Sequence, residues 1–143
     1  MPKPIVVGVD GSKTARKAAE AARDLAVALN APLLVISAFD SDRTEVRQSG
    51  AEKFIISAAG DAERAAKTIV EELQTDGLDV SYSIARGKPA DALVSEAARV
   101  QARTIVVGNR RMLGIGRVLG SIANSIAHSA PCDVYIVNTY DAD

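Results

Sequence analysis

Tryptophan is absent from this chain of 143 residues, and aromatic residues make up only 3% of it. The core must therefore be built from Val, Ile, Leu and Ala, as in small α/β proteins with buried parallel strands. A protein that reads bases usually carries a basic stripe interleaved with rings for stacking. With so few rings and a net charge of −1, neither a nucleic-acid partner nor a charged membrane surface is expected. The single cysteine, Cys132, cannot close an internal disulfide, and with one histidine, His128, no Cys/His cluster has metal-ligand spacing. No apolar run approaches the ~18 residues that span a bilayer, and the opening MPKPIVVGVD lacks a long apolar stretch of the signal-peptide kind. These absences predict a soluble, cytoplasmic, single domain over residues 1–143, a length able to bury a substantial core.

What is present is an alternation of short apolar runs and Ala-rich amphipathic stretches. Ile5-Val6-Val7-Gly8-Val9 reads as a strand buried on both faces, and Asp10-Gly11-Ser12 as the turn after it. Ser12 is a plausible N-cap for a helix from Lys13 to about Asn30, in which Ala15, Ala18, Ala19, Ala22, Leu25, Ala26 and Leu29 recur at helical spacing. Pro32 ends that unit and Leu33 to Phe39 is a second strand. The polar stretch from Asp40 to Gly50 is expected to be a loop, followed by a long helix from about Ala51 to Thr75 with Gly60 as a point of interruption. Leu78 to Ile84 alternates in the manner of an edge strand, and Pro89 sits at the start of a helix over Ala90 to Gln101. Thr104 to Gly108 is a fourth strand, Leu119 to Ser129 a short helix, and Asp133 to Val137 a fifth strand. Strands alternating with helices imply an open parallel sheet covered by helices on both faces.

In such sheets ligands lie beyond the carboxyl ends of the strands, where the chain order reverses. If the first strand neighbours the second and fourth, three strand ends converge there: Asp10-Gly11-Ser12, Ser37-Ala38-Phe39, and the stretch GNRRMLGIGRVLGS that begins at Gly108. Its glycines let backbone N–H groups approach an anion closely. Gly120-Ser121 opens a helix, where unpaired N–H groups and the dipole favour phosphate, and Ser121 adds a hydroxyl. Arg110, Arg111 and Arg117 can form charge-assisted bonds to phosphate oxygens. Asp10 is an acceptor suited to a ribose hydroxyl, an adenine amino group or a bound metal. The local sequence alone leaves two readings open, a phosphate cradle and a simple turn with a helix cap.

The chain as a whole resembles the universal stress proteins. The resemblance is carried by IVVGVDGS, the helix after it, GKPADALV, the VVGNR…GS stretch and the ending AHSAPCDVYIV. It implies the adenine nucleotide alpha hydrolase-like fold: a five-stranded parallel sheet of order 3-2-1-4-5 in a single domain, with a homodimer formed through the last strand. Nucleotide-binding members carry G-x-x-G, nine residues, then G-S/T; here Gly108 and Gly120-Ser121 match, Arg111 stands at the second glycine, and eight residues, 112 to 119, follow it. By the same resemblance Asp10 lies near the base and ribose, and Ala38 presents its backbone to the adenine. The implied binding set is Val9, Asp10, Ser12, Ala38, Gly108, Asn109, Arg110, Arg111, Gly114, Gly116, Gly120, Ser121 and Ile122. The implied ligand is ATP, with AMP or cyclic AMP as alternatives and magnesium as a companion ion. The implied role is regulatory, in the stress response. The altered loop supports a second reading, a dimeric interaction module of the same fold that no longer binds nucleotide.

Other features have plainer readings. GSKT at 11–14 resembles the end of a phosphate-binding P-loop, but Ser12 separates Gly11 from Lys13, so a helix cap is expected. His128 has no nucleophile or carboxylate at catalytic spacing and belongs to a helix C-terminus. Cys132 reads as a small packed side chain. Lys88 follows the third strand and can reach the phosphate end, and the 40–50 stretch can act as a lid over the adenine. No catalytic constellation stands out, so a binding protein is expected rather than an enzyme, with a slow ATPase or a nucleotidyl-transfer relative as the enzymatic alternatives.

Overall fold

Ile5–Val9 (β1) lies at the centre of a parallel sheet, hydrogen-bonded on one side to Leu33–Phe39 (β2) and on the other to Thr104–Asn109 (β6). The computed structural model describes residues 2–40, 44–49, 52–109 and 119–140. Val80–Arg86 (β5) pairs with β2, and Asp133–Asn138 (β7) with β6, which completes five parallel strands in the order β5-β2-β1-β6-β7. Counting only the parallel strands, this is the expected order 3-2-1-4-5.

Alternation along β1 divides the core in two. Ile5, Val7 and Val9 face Lys13–Leu29 (α1) and Ala58–Leu73 (α2), packing with Ala18, Ala22, Ala26, Ala66 and Ile69. Val6 turns the other way, with Ile36, Ile105 and Val107, towards Pro89–Arg99 (α3) and Ser121–Ser129 (α4), meeting Leu93, Ala97, Ala123 and Ile126. The alanines that α1 presents let its backbone lie close against the strands. Each fully buried Ile or Val side chain contributes roughly 1.5–3 kcal/mol, so two apolar layers on one central sheet carry most of the stability that a chain with so few rings can have. α1 begins where Ser12 Oγ accepts the Ala15 N–H at 3.1 Å, and it ends where Asn30 adopts a left-handed conformation, φ 53°.

One region differs from expectation. The stretch read as a loop contains a strand, Thr44–Ser49 (β3), and the stretch read as the beginning of a long helix contains another, Glu52–Ser57 (β4). The two pair antiparallel as a separate ribbon, with Val46 opposite Ile55. The helix starts only at Ala58, and Gly60 lies inside its first turn without interrupting it. The physical reason is in Phe54-Ile55-Ile56, an aromatic and β-branched run that favours a strand. Glu52 and Lys53 are good helix formers, and they carried the helical reading too far towards the N-terminus. Among the described residues, no helix is long and apolar enough to cross a membrane.

Candidate functional site

A cleft of about 380 Å³ opens at the carboxyl ends of β1, β2 and β6, where the chain leaves β1 for one neighbour and later returns to the other. Its two walls come from opposite faces of the sheet. Asp10, Ser12, Thr14, Ala15 and Ala18 line it from the α1 side, and Pro89, Leu93 and Ile122 from the α3–α4 side. Gly8, Val9, Ile36, Ala38, Val107 and Gly108 form the strand-end floor between them. One wall therefore begins with a carboxylate and hydroxyls, while the other is apolar.

Asp10 is solvent-exposed at the mouth. Its Oδ1 accepts the Ser12 N–H at 2.9 Å, closing a tight turn through Gly11, which sits at φ +86°. Gly11 is one of the few glycines here whose conformation a side chain would strain. Ser12 is therefore both a lining residue and the cap of α1, as the G-S-K-T reading expected. Gly108 leaves room for its neighbours: a Cβ there would lie 3.0 Å from Thr139 Cγ2 and 3.4 Å from Ala18 Cβ. Thr139 Oγ1 is fully buried and has no hydrogen-bond partner among the described residues. Gly120 is the N-cap of α4, and its N–H donates to Asn109 Oδ1 at 2.9 Å. Ser121 is the exposed first residue of that helix, and Ile122, 43% exposed, reaches the cleft.

Of the expected binding set, Val9, Asp10, Ser12, Ala38, Gly108 and Ile122 line the cleft, and Gly120 and Ser121 begin the helix that supplies Ile122. Asn109 is brought to the same place but is 4% exposed and directed at Gly120. Arg110, Arg111, Gly114 and Gly116 lie outside the described residues, as does Arg117. Sequence reasoning passed over Gly8, Thr14, Ala15, Ala18, Ile36, Pro89, Leu93 and Val107. A signal existed for Gly8, because a glycine inside a β-branched strand often marks close approach. A Cβ on it would lie 2.7 Å from Leu93 Cδ1. No comparable signal marked Ala15 or Ala18, whose spacing is that of ordinary core positions. Lys88 is the exposed N-cap residue of α3, next to Pro89.

Among the described residues, the ionisable groups whose acidity is displaced, Tyr82, Glu96, Arg99 and Cys132, all lie away from this cleft. Among the described residues, no three His, Cys, Asp or Glu side chains gather as a metal site. His128 is exposed in the last turn of α4. Cys132 is half-buried against the α3–α4 core, and that burial pushes its thiol up despite a backbone hydrogen bond from Ile105. A thiol held protonated reacts slowly. Alkylation of the native protein by iodoacetamide at neutral pH is therefore expected to be slower than that of free cysteine, and to accelerate only above the ordinary thiol range. Fast modification at neutral pH would show an activated thiolate instead.

The fold and the cleft define a doubly wound α/β domain with a ligand crevice at its switch point. The universal stress protein family profile matches residues 1–138, and the chain belongs to that family. A universal stress protein from Thermus aquaticus, encoded in the QAH/OAS sulfhydrylase 3' region, is 33% identical over 137 residues, covering 94% of this chain and 98% of that one. One from Mycobacterium tuberculosis is 31% identical over 142 residues, covering 96% and 97%. Among solved structures, a universal stress protein in complex with cAMP superposes with a TM-score of 0.70 at 30% identity, covering 96% of this chain and 97% of that one. The universal stress protein from Archaeoglobus fulgidus in complex with dAMP does so with a TM-score of 0.70 at 25% identity, covering 94% and 96%. These relatives share the adenine nucleotide alpha hydrolase-like fold.

Proposed function

We propose that this chain is a cytoplasmic regulatory protein of the stress response that binds an adenine nucleotide in the switch-point cleft, with ATP the first candidate and AMP or cyclic AMP the alternatives. One observation carries the reading: the exposed Asp10 carboxylate, the Ala38 strand end, Gly108 and the start of α4 all converge on one cleft. The residues fit such a group. Ile36, Leu93 and Ile122 offer an apolar seat for a flat base, Asp10 an acceptor for ribose hydroxyls, and the first-turn amides of α4 a place for phosphate. By the family resemblance Arg110, Arg111, Gly114 and Gly116 belong to the same binding set, and a magnesium ion would accompany a triphosphate. The solved relatives with cAMP and dAMP give the monophosphates independent support. We read the role as binding, with no catalytic step assigned to any side chain.

Calorimetric titration of the full chain with ATP, AMP and cyclic AMP is the test. Saturable binding of at least one, lost on Asp10→Ala, is expected. No heat and no thermal stabilisation from any of them at millimolar concentration would favour the second reading, an interaction module that has lost the nucleotide.

The homodimer belongs to the same proposal. β7 is an edge of the sheet, and Tyr135 on it is 49% exposed, an unpaired strand suited to a second copy. Tyr135→Lys is expected to convert a dimer to a monomer in sedimentation velocity, because a lysine on an edge strand opposes pairing. A dimer that persists unchanged would place the interface elsewhere.

A further inference from the structure

Asn109 lies at the last position of β6 and is nearly inaccessible to solvent, so it does not present itself to a ligand in the cleft as Asp10 does. Its side chain instead spans the connection that follows it. Asn109 Oδ1 accepts the N–H of Gly120, eleven positions along the chain, at 2.9 Å. This side-chain bond ties the end of β6 to the start of α4. The backbone of the same residue is held from the other side, where Thr139 N–H donates to the Asn109 carbonyl at 3.1 Å. Thr139 also lies against Gly108, the residue before Asn109. The end of the outer strand β7, the end of β6 and the start of α4 are thus joined at a single residue.

Gly120 is the N-cap of α4, and Asn124 N–H donates to its carbonyl at 2.9 Å, the first bond of the helix. Fixing the Gly120 N–H therefore fixes the direction in which the first-turn amides of Ser121 and Ile122 point. Gly120 must also lack a side chain for this to work, because a Cβ there would lie 3.2 Å from Asn109 Oδ1. Its backbone, at φ −62° and ψ 163°, is open to any residue, so space is the constraint and not conformation.

We infer that Asn109 is a positioning residue for the phosphate end of the cleft: it aims the N-terminus of α4 at a phosphorylated ligand without touching that ligand. This deepens the nucleotide reading above and rests on it. It also revises the expectation that Asn109 belongs to the ligand contacts themselves.

The test compares adenosine with AMP on the full-length wild type and on Asn109→Leu, which keeps the bulk and removes the acceptor. Asn109→Leu is expected to weaken AMP at least 10-fold while adenosine changes less than about 2-fold, since only the phosphate meets the amides that Asn109 aligns. Amide hydrogen exchange at Gly120 is expected to accelerate in that variant and to be restored by Asn109→Asp, which retains an acceptor. If Asn109→Leu does not fold, Asn109→Ser, whose shorter side chain does not reach Gly120, is read in the same way. Equal losses for both ligands, unchanged AMP binding, or a Gly120 amide that stays protected in the leucine variant would overturn the positioning role alone. A wild-type chain that binds neither ligand would overturn the nucleotide reading, and this role with it.

Discussion

Gly8→Val is expected to destabilise the protein by about 3 kcal/mol and to lower its melting temperature by about 6–12 °C. By strand propensity alone the sign should be the opposite, because valine is a better strand former than glycine by up to about 1 kcal/mol. Tertiary packing reverses it. Gly8 lies in the central strand β1 and faces α3, where Leu93 Cδ1 would be 2.7 Å from an added Cβ, with Cδ2 and Cγ at 3.2 and 3.3 Å. Leu93 cannot swing aside freely, since it is buried among Val6, Ile36 and Ala97. Shortening it should therefore rescue the valine: in Gly8→Val/Leu93→Ala the combined loss should fall well below the sum of the two single losses, a coupling of roughly 1–3 kcal/mol. Simple additivity in thermal or urea unfolding would show that the approach of α3 to β1 is not what excludes a side chain here. Because Leu93 and Gly8 both line the cleft, the same contact sets how deep its apolar end can be.

Gly120→Val is expected to leave the chain folded while reducing affinity for an adenine nucleotide by about 100-fold. The stability cost is that of a perturbed helix cap, about 0.5–2 kcal/mol. The binding cost is larger, because displacing Asn109 Oδ1 turns the start of α4 and with it two or more charge-assisted bonds of roughly 1.5–3 kcal/mol each. Calorimetry and a melting curve on the same sample separate the two effects. A variant that melts near wild type and binds with unchanged affinity would place the phosphate away from α4. If the wild type binds nothing, the interaction-module reading takes over.

Much of this was legible in the residues because the signals were local. The β-branched run of β1, the Ser12 cap and the Ala spacing of α1 each depend on neighbours within a turn or two, and each element formed where those signals lie. The hairpin was not legible. Glu52 and Lys53 favour helix while Phe54 to Ile56 favour strand, and antiparallel pairing with β3 decides such a conflict. At the cleft, the strand-end residues Asp10, Ala38 and Gly108 could be found because a parallel sheet puts its ligands there. The role of Asn109 could not be found that way, since its partner lies eleven residues along the chain.

The sequence by itself determined the family, the order of the five parallel strands and of the helices between them, and the end of the sheet at which a ligand would lie. These follow from hydrophobic periodicity, turn chemistry and a pattern of residues spread along the chain, all of which are properties of a linear string. Only the tertiary structure decided that Gly8 makes room for Leu93, that Ala18 and Pro89 line opposite sides of one cleft, and that Asn109 Oδ1 accepts the Gly120 N–H. Those are contacts between residues far apart in sequence, and their distances come from how helices pack on a sheet. The stretch GNRRMLGIGRVLGS accordingly has two kinds of residue at its described ends. Gly120-Ser121 opens a helix towards the cleft, and Asn109 keeps that helix aimed.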